Sequence, residues 1–183
     1  MEVERLQEKY NLDVRFAPYL LDPSTPPEGK PRKRYSSDDS PPSEMELRGE
    51  RLGVKYNRGR EWTSNSLLAH EASEHVTEHE PHEVAWNYHR RLFKSYFTDL
   101  SDIGKQDLLL DLAKESGVNV DSLRASLDTH QYQQQVMDAL NWARQVGVTG
   151  VPTFVFDEQY GLVGAQDLQV METMMERLGK VPK

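Results

Sequence analysis

The segment 147–166 constrains this chain most, because a proline stands directly before a β-rich run. The run 153–156 is Thr-Phe-Val-Phe, and a second run, 160–163, follows after three turn residues. Two such runs joined by a short turn predict an antiparallel hairpin. Pro152 has no amide proton to donate, so it fits only at an edge or at the first position of a strand. The sequence therefore predicts a hairpin that begins directly after Pro152.

Composition and charge narrow the class of protein. The 183 residues carry 28% charged side chains and a net charge of -8, which is typical of a soluble globular domain and argues against nucleic acid and anionic membranes as partners. No apolar run approaches the ~18 residues that span a bilayer. The charged first ten residues lack the apolar segment of a secretory signal, which predicts a cytoplasmic location.

The chain contains no cysteine. It can therefore form no disulfide and offers no thiolate as a nucleophile or a metal ligand. We accordingly predict no catalytic residue, no metal site and no cofactor within this chain.

Apolar spacing divides the chain into three parts. Residues 1–42 contain a helix around Leu6, a strand at 12–16 and a polar loop. The loop carries Lys30, Arg32, Lys33 and Arg34, and a solvated loop is favoured there over a nuclear import signal or an anion site. Residues 43–130 are predicted to be all helical, and residues 131–183 to hold a helix, the hairpin and a final helix with Met171, Met174 and Met175 in the core.

Local signals place the helices of the middle part. Ser43 and Glu46 match a capping box, and Gly117 is suited to end a helix that carries Leu108, Leu109 and Leu112. A buried stripe is predicted at Trp86, Phe93 and Phe97, with Leu92 and Tyr96 beside it. Thr63, Ser64, Asn65 and Ser66 are suited to cap the helix that follows, which favours capping over a nucleophilic role for the hydroxyl groups.

Five histidines cluster among glutamates in the middle part, at His70, His75, His79, His82 and His89. His75 and His79 have the i, i+4 spacing that can hold Zn²⁺ when a third ligand is present. Pro81 interrupts the helix, however, and the segment is strongly polar. A solvated, charge-paired turn between helices is therefore favoured over a metal site, and His70 is predicted to be a packed or hydrogen-bonded helix residue.

The motif Gly-Val-x-Gly-Val-Pro-Thr-Phe, residues 147–154, resembles the cis-proline loop of thioredoxin-fold proteins. Residues 161–166 before the last helix, and the motifs at 16–23, 65–70 and 92–104, are similar to the DsbA family, FrnE-like branch. The resemblance covers nearly the whole chain. It implies an α/β, thioredoxin-like fold with an all-helical insertion. It also implies that Thr149, Gly150, Val151 and Pro152 bind substrate, with the residue before proline pairing its backbone with an extended chain.

One departure from that family is large. Its first strand and its Cys-x-x-Cys helix terminus should precede Val3, so about 20 residues are expected to be missing, including a central strand. The runs 12–16 and 153–156 would then lack their shared neighbour. We expect either an incomplete N-terminus or a shortened protein that closes its sheet differently or with a partner.

Three functions remain open at this stage. The resemblance implies a thiol–disulfide oxidoreductase by family, although this chain is expected to be redox-inactive alone. A glutathione-dependent relative of kappa-class transferases and 2-hydroxychromene-2-carboxylate isomerases is the second, and a non-catalytic peptide-binding thioredoxin-fold module is the third. The implied ligand is a thiol or disulfide peptide, or glutathione, and a homo-oligomer is compatible with each function.

Overall fold

The computed structural model of the protein describes residues 2–32 and 39–183. Lys33 and Arg34 of the predicted basic loop lie outside the described residues, whereas Lys30 donates a hydrogen bond to the Asp22 carboxylate. In chain order the elements are α1 (Glu2–Lys9), β1 (Lys30–Pro31), α2 (Glu44–Arg51), β2 (Trp62–Thr63), α3 (Leu67–His79), α4 (His82–Phe97), α5 (Gln106–Ser116), α6 (Val120–Asp128), α7 (Gln133–Gln145), β3 (Thr153–Phe156), β4 (Tyr160–Val163) and α8 (Leu168–Arg177).

The chain forms two compact units. The terminal unit consists of Met1–Ala17 and Asn141–Lys183, and the insertion unit of Pro18–Leu140. Helix α7 begins in the insertion unit and ends in the terminal unit. None of the helices among the described residues has the length and apolar content to cross a bilayer.

The terminal unit has its own apolar core. Leu6 of α1 and Met171 and Met175 of α8 are buried, and Phe154 and Phe156 of β3 pack against them. The apolar spacing in both helices and the alternation in β3 thus direct one face of each element to the same cluster. The predicted core positions of Met171, Met174 and Met175 are confirmed.

The hairpin has the predicted antiparallel form. Phe154 pairs with Leu162 and Phe156 with Tyr160, and the turn between the strands contains Asp157 and Glu158 with positive φ angles. β3 and β4 form a two-stranded sheet in the described part of the chain.

The predicted strand at 12–16 is absent from the structure, in which these residues form no ladder with any described segment. A strand exists only where a second extended backbone accepts its hydrogen bonds. Alternation of apolar and polar side chains is compatible with an extended backbone, but it does not provide a neighbouring strand to pair with. Leu12 is nevertheless partly buried against the core of the terminal unit.

The insertion unit is built on α3 to α6, with the first part of α7. Ser43 and Glu46 form the predicted capping box at α2, and Gly117 ends α5 with φ +84°. At the start of α3 the N-cap residue is Ser66, whose side chain makes no capping hydrogen bond. Asn65 Oδ1 instead accepts a hydrogen bond from the amide of Leu67 over 2.9 Å. The largest apolar cluster of this unit consists of Ala69, Ala72, Val76, Ala85, Tyr88, Leu92, Ile103, Leu109, Leu110, Leu112, Ala113, Val118, Leu123 and Leu127. A second cluster contains Leu20, Val136 and Leu140.

The predicted buried stripe on α4 is wrong at its centre, because Phe93 is 50% exposed. Ala85, Tyr88 and Leu92 form the buried face instead. Phe93 stacks on Phe97 near the surface. Helices α3 and α5 pack against this face of α4. The buried residues Ala85 and Leu92 each stand one position before the predicted Trp86 and Phe93.

The histidine region also differs from the prediction, because His75 and His89 are buried at 2% and 6% exposure. His75 Nε2 lies 3.3 Å from Ser122 Oγ of α6, and His89 Nε2 lies 3.1 Å from Thr77 Oγ1 of α3. The histidines lie on helices α3 and α4, and the connection between these two helices consists of Glu80 and Pro81. These histidines are core residues of the helix packing because α6 and α3 cover the side chains that an isolated turn would expose.

His70 agrees with its predicted packed role. Burial lowers the pKa of His70 to about 4, and a hydrogen bond with the backbone of Tyr19 opposes that shift. Among the described residues, no group of three or more histidine, aspartate and glutamate side chains is arranged to hold a metal ion.

Candidate functional site

The loop between α7 and β3 begins with a helix end that is closed by local hydrogen bonds. The amide of Val148 donates to the carbonyl of Ala143 over 2.8 Å, and that of Gly147 to Arg144 over 3.2 Å. Gly147 has φ +78°, a conformation that residues with a Cβ atom rarely adopt. The glycine thus turns the chain out of the helix and towards the proline.

Two hydrogen bonds then hold the loop on either side of Val151. The hydroxyl of Thr153 donates to the carbonyl of Gly150 over 2.6 Å. The carbonyl of Pro152 accepts the amide of Gly164 over 2.7 Å. The Val151–Pro152 peptide bond is cis. The backbone around Val151 is therefore anchored to β3 and to the end of β4.

Val151 itself is left open by this arrangement. The residue is 45% exposed. Within the described residues, neither its amide nor its carbonyl has a hydrogen-bond partner. A neighbouring donor and acceptor on a fixed, exposed backbone can pair with an extended chain in the manner of a β-ladder.

The segment 146–156 contains no charged residue. It therefore offers neither a general acid nor a general base to a bound molecule. Its chemistry is that of neutral main-chain recognition flanked by valine side chains.

All four residues predicted to bind substrate lie in this one loop. Thr149, Val151 and Pro152 are exposed, and Gly150 is half-buried beside Val163. Whether they bind substrate stays a prediction.

Two residues of the arrangement were not assigned a site role from the sequence. Gly164, at φ +87°, supplies the amide that holds Pro152, and Gln166 Nε2 donates to the carbonyl of Val163 over 2.6 Å. The glycine after a β-rich run is the available signal for the first. The resemblance of residues 161–166 to the DsbA family marks the second, but the bond itself depends on the path of the chain after β4.

The sequence profile of the DSBA-like thioredoxin domain matches residues 1–176. This chain belongs to that family. This match confirms the predicted DsbA resemblance and the thioredoxin-like fold with a helical insertion.

One relative and two solved structures are similar to this chain. The uncharacterized protein YwbO of Bacillus subtilis is 29% identical, over 88% of this chain and 80% of its own length. A probable DsbA oxidoreductase of Streptomyces coelicolor, SCO1869, superposes with a TM-score of 0.65 at 24% identity, over 74% of this chain. This chain spans 58% of that Streptomyces chain.

A candidate protein disulfide isomerase from Nitrosomonas europaea superposes with a TM-score of 0.57 at 14% identity, over 70% of this chain and 69% of its own. Identities this low show a shared fold.

Proposed function

We propose that this DsbA-like chain, of the FrnE-like branch, binds an extended peptide that carries a thiol or a disulfide, or glutathione, along the backbone of Val151. In this proposal the chain holds the ligand and does not itself exchange disulfides. The residues that contact the ligand are Thr149, Gly150, Val151 and Pro152.

The proposal rests on the amide and carbonyl of Val151, which have no hydrogen-bond partner among residues 2–32 and 39–183. The carbonyls of Gly150 and Pro152 are both engaged, so the loop has little freedom to satisfy Val151 by itself. A fixed, exposed donor–acceptor pair loses little conformational entropy on binding. An extended ligand backbone supplies the matching acceptor and donor.

The absence of cysteine supports the non-catalytic part of the proposal. Disulfide exchange proceeds by attack of a thiolate on a disulfide sulfur, and this chain provides neither group. Any thiol at the site must therefore come from outside residues 1–183. The polypeptide described here contributes positioning.

Calorimetric titration tests the binding step. The probes are reduced glutathione, oxidised glutathione and the peptide acetyl-Thr-Val-Thr-Val-Thr-amide, which has no sulfur. We expect saturable binding of at least one probe. Tighter binding of reduced glutathione than of the peptide would favour the kappa-class relative, whereas the reverse order would favour a peptide-binding module.

A pair of variants tests the role of Val151. Val151→Pro removes the amide donor, and we expect affinity to fall roughly two- to tenfold, the value of one neutral hydrogen bond. Val151→Ala keeps both backbone groups and is the matched control. Equal affinities of the two variants, or no binding of any probe to the wild-type chain, would contradict the proposal.

An insulin reduction assay with dithiothreitol tests the redox part. We expect the rate with this chain to equal the rate without it. A faster rate would contradict a purely positioning role.

A further inference from the structure

A row of polar side chains lies between α3 and α6, inside the insertion unit. Glu71 and His75 stand one helical turn apart on α3, so they share one face of that helix. Ser122 and Ser126 stand in the same relation on α6. Glu71, His75 and Ser126 are 1%, 2% and 3% exposed, and polar groups buried this deeply normally have hydrogen-bond partners.

Two direct contacts fix how the two helices face each other along this row. His75 Nε2 lies 3.3 Å from Ser122 Oγ. Glu71 Oε1 lies 3.1 Å from Nδ1 of His130, which follows the end of α6. The order of these contacts is reversed along the two helices, so α3 and α6 run antiparallel here. Ser126 stands four residues after Ser122 and four before His130, and it therefore lies between the two contacts.

Three buried atoms of this row have no hydrogen-bond partner in the described part of the chain, namely Glu71 Oε2, His75 Nδ1 and Ser126 Oγ. They belong to the three side chains that the helix packing brings together. Three buried polar groups left unpaired cost more free energy in total than the ordering of one water molecule. A single small partner shared by the three atoms is therefore favoured over three unpaired groups.

The chemistry of the three atoms selects water among small ligands. A carboxylate oxygen accepts hydrogen bonds, a hydroxyl group donates or accepts, and the role of the imidazole nitrogen depends on the tautomer. Water matches all three because it both donates and accepts. An anion would be repelled by the carboxylate of Glu71. Within residues 2–32 and 39–183, no set of three or more histidine, aspartate and glutamate side chains is placed to hold a metal ion.

Neighbouring side chains enclose this part of the interface. The ring of Tyr132, itself 4% exposed, meets the ring of His75 edge-on at a centroid distance of 5.9 Å. The ring of His79 lies 4.5 Å from that of His75 on the other side of the comparison between ring centroids. His130 contacts Glu71 at the opposite end of the row. A molecule bound here would exchange slowly with solvent, because these side chains must move before it can leave.

We infer that one water molecule binds between α3 and α6, in hydrogen-bond contact with Glu71 Oε2, His75 Nδ1 and Ser126 Oγ. Buried waters typically make about three such bonds. This water joins two side chains of α3 to one of α6 and is thus part of the helix interface. It lies within the insertion unit, so its binding does not depend on the ligand proposed at Val151.

A high-resolution crystal structure of the wild-type chain tests the site directly. We expect one water oxygen at about 2.6–3.2 Å from each of the three atoms. Direct hydrogen bonds among Glu71, His75 and Ser126, with no water between them, would overturn the inference.

Oxygen-17 magnetic relaxation dispersion tests the site in solution, because it counts water molecules that stay bound longer than the protein takes to tumble. Ser126→Thr retains the hydroxyl group and adds a methyl group, which is close to water in size. We expect this variant to lose the signal of one water molecule relative to the wild type. Ser116→Thr is the matched control, because Ser116 is 6% exposed and its hydroxyl donates to the carbonyl of Leu112. We expect the control to keep the wild-type signal.

The outcomes of the solution test are distinct. A wild-type chain with no long-lived water would overturn the inference, and so would equal water counts in the wild type and Ser126→Thr. Loss of one water in both variants would also overturn it, because the loss would then not depend on position. Circular dichroism checks that both variants fold. If Ser126→Thr does not fold, the crystal structure of the wild-type chain decides.

Discussion

The amide of Gly164 donates to the carbonyl of Pro152 over 2.7 Å, and this bond joins the two ends of the hairpin. It continues the β3–β4 ladder one pair beyond the strands and holds the loop at Val151 against them. The loop is therefore part of the hairpin rather than a separate connection. Its geometry depends on a residue twelve positions further along the chain.

We expect Gly164→Ala to destabilise the terminal unit by about 1–2 kcal/mol, because Gly164 has φ +87° and a Cβ atom is strained in that conformation. Gly161→Ala is the matched control, since its added Cβ atom would meet nothing within 4 Å and its φ angle is not positive. Urea unfolding followed by fluorescence checks both. Equal effects of the two variants would show that Gly164 can change conformation freely.

We expect Met171→Ala to lower the unfolding free energy by about 2–5 kcal/mol, because Met171 is 1% exposed and its loss leaves a cavity between α1, β3 and α8. Val170 precedes Met171 on α8 and is 41% exposed, so Val170→Ala should change the unfolding free energy by less than about 1 kcal/mol. Thermal unfolding of the three proteins measures the difference. Comparable losses would contradict the described core.

Acid should destabilise the insertion unit through its buried histidines. Burial lowers the pKa of His70 and of His89 to about 4, from the ordinary 6.5. Between these values the unfolded chain binds more protons than the folded one, so stability falls as pH decreases from about 6.5 to about 4. Each of the two histidines contributes up to about 3 kcal/mol to this loss.

Chemical unfolding of the wild-type chain and of His89→Gln across this pH range measures the contribution of His89. The variant should show the shallower decline, and His82→Gln, at an exposed position, should follow the wild type. Parallel curves for wild type and His89→Gln would show that His89 is not held neutral by burial.

Glu71 gives the opposite pH dependence. Its side chain is 1% exposed, and its Oε1 lies 3.1 Å from His130 Nδ1. Its Oε2 has no hydrogen-bond partner in the described part of the chain. Burial raises the pKa of Glu71, against the smaller lowering effect of His130. The stability that this carboxyl group provides when protonated is thus lost as pH rises through its folded pKa.

We therefore expect Glu71→Gln to be more stable than the wild type at pH 8, and the difference to shrink towards pH 4. Glu83→Gln, at an exposed position, is the control. Denaturant titrations at both pH values compare the three proteins. A variant that is less stable than the wild type at pH 8 would show that the pair with His130 outweighs burial.

Helix boundaries and the hairpin were predictable from short segments. The capping box at Ser43, the glycine that ends α5 and the β-rich run after Pro152 each act through residues within four positions. Side-chain caps and backbone restrictions operate over that distance, so the local sequence contains them in full.

The errors share a different cause. Residues 12–16 alternate as a strand does, yet the described chain offers them no ladder partner. Phe93 has helical spacing with other aromatic residues, yet α4 turns Tyr88 and Leu92 to the core. His75 stands in a polar segment, yet α6 covers it. In each case the outcome depends on an element that is distant in sequence.

The amino-acid sequence by itself determined that this chain has no sulfur nucleophile, that a proline opens its hairpin, and that glycines at 147 and 164 allow the turns beside it. Only the tertiary structure decided that Gly164 engages Pro152, that Gln166 donates to the carbonyl of Val163, and that the backbone of Val151 has no hydrogen-bond partner among the described residues. The reason is physical. Covalent geometry and local hydrogen bonds act on each residue and its neighbours, whereas a backbone group becomes paired or unpaired only when distant segments meet.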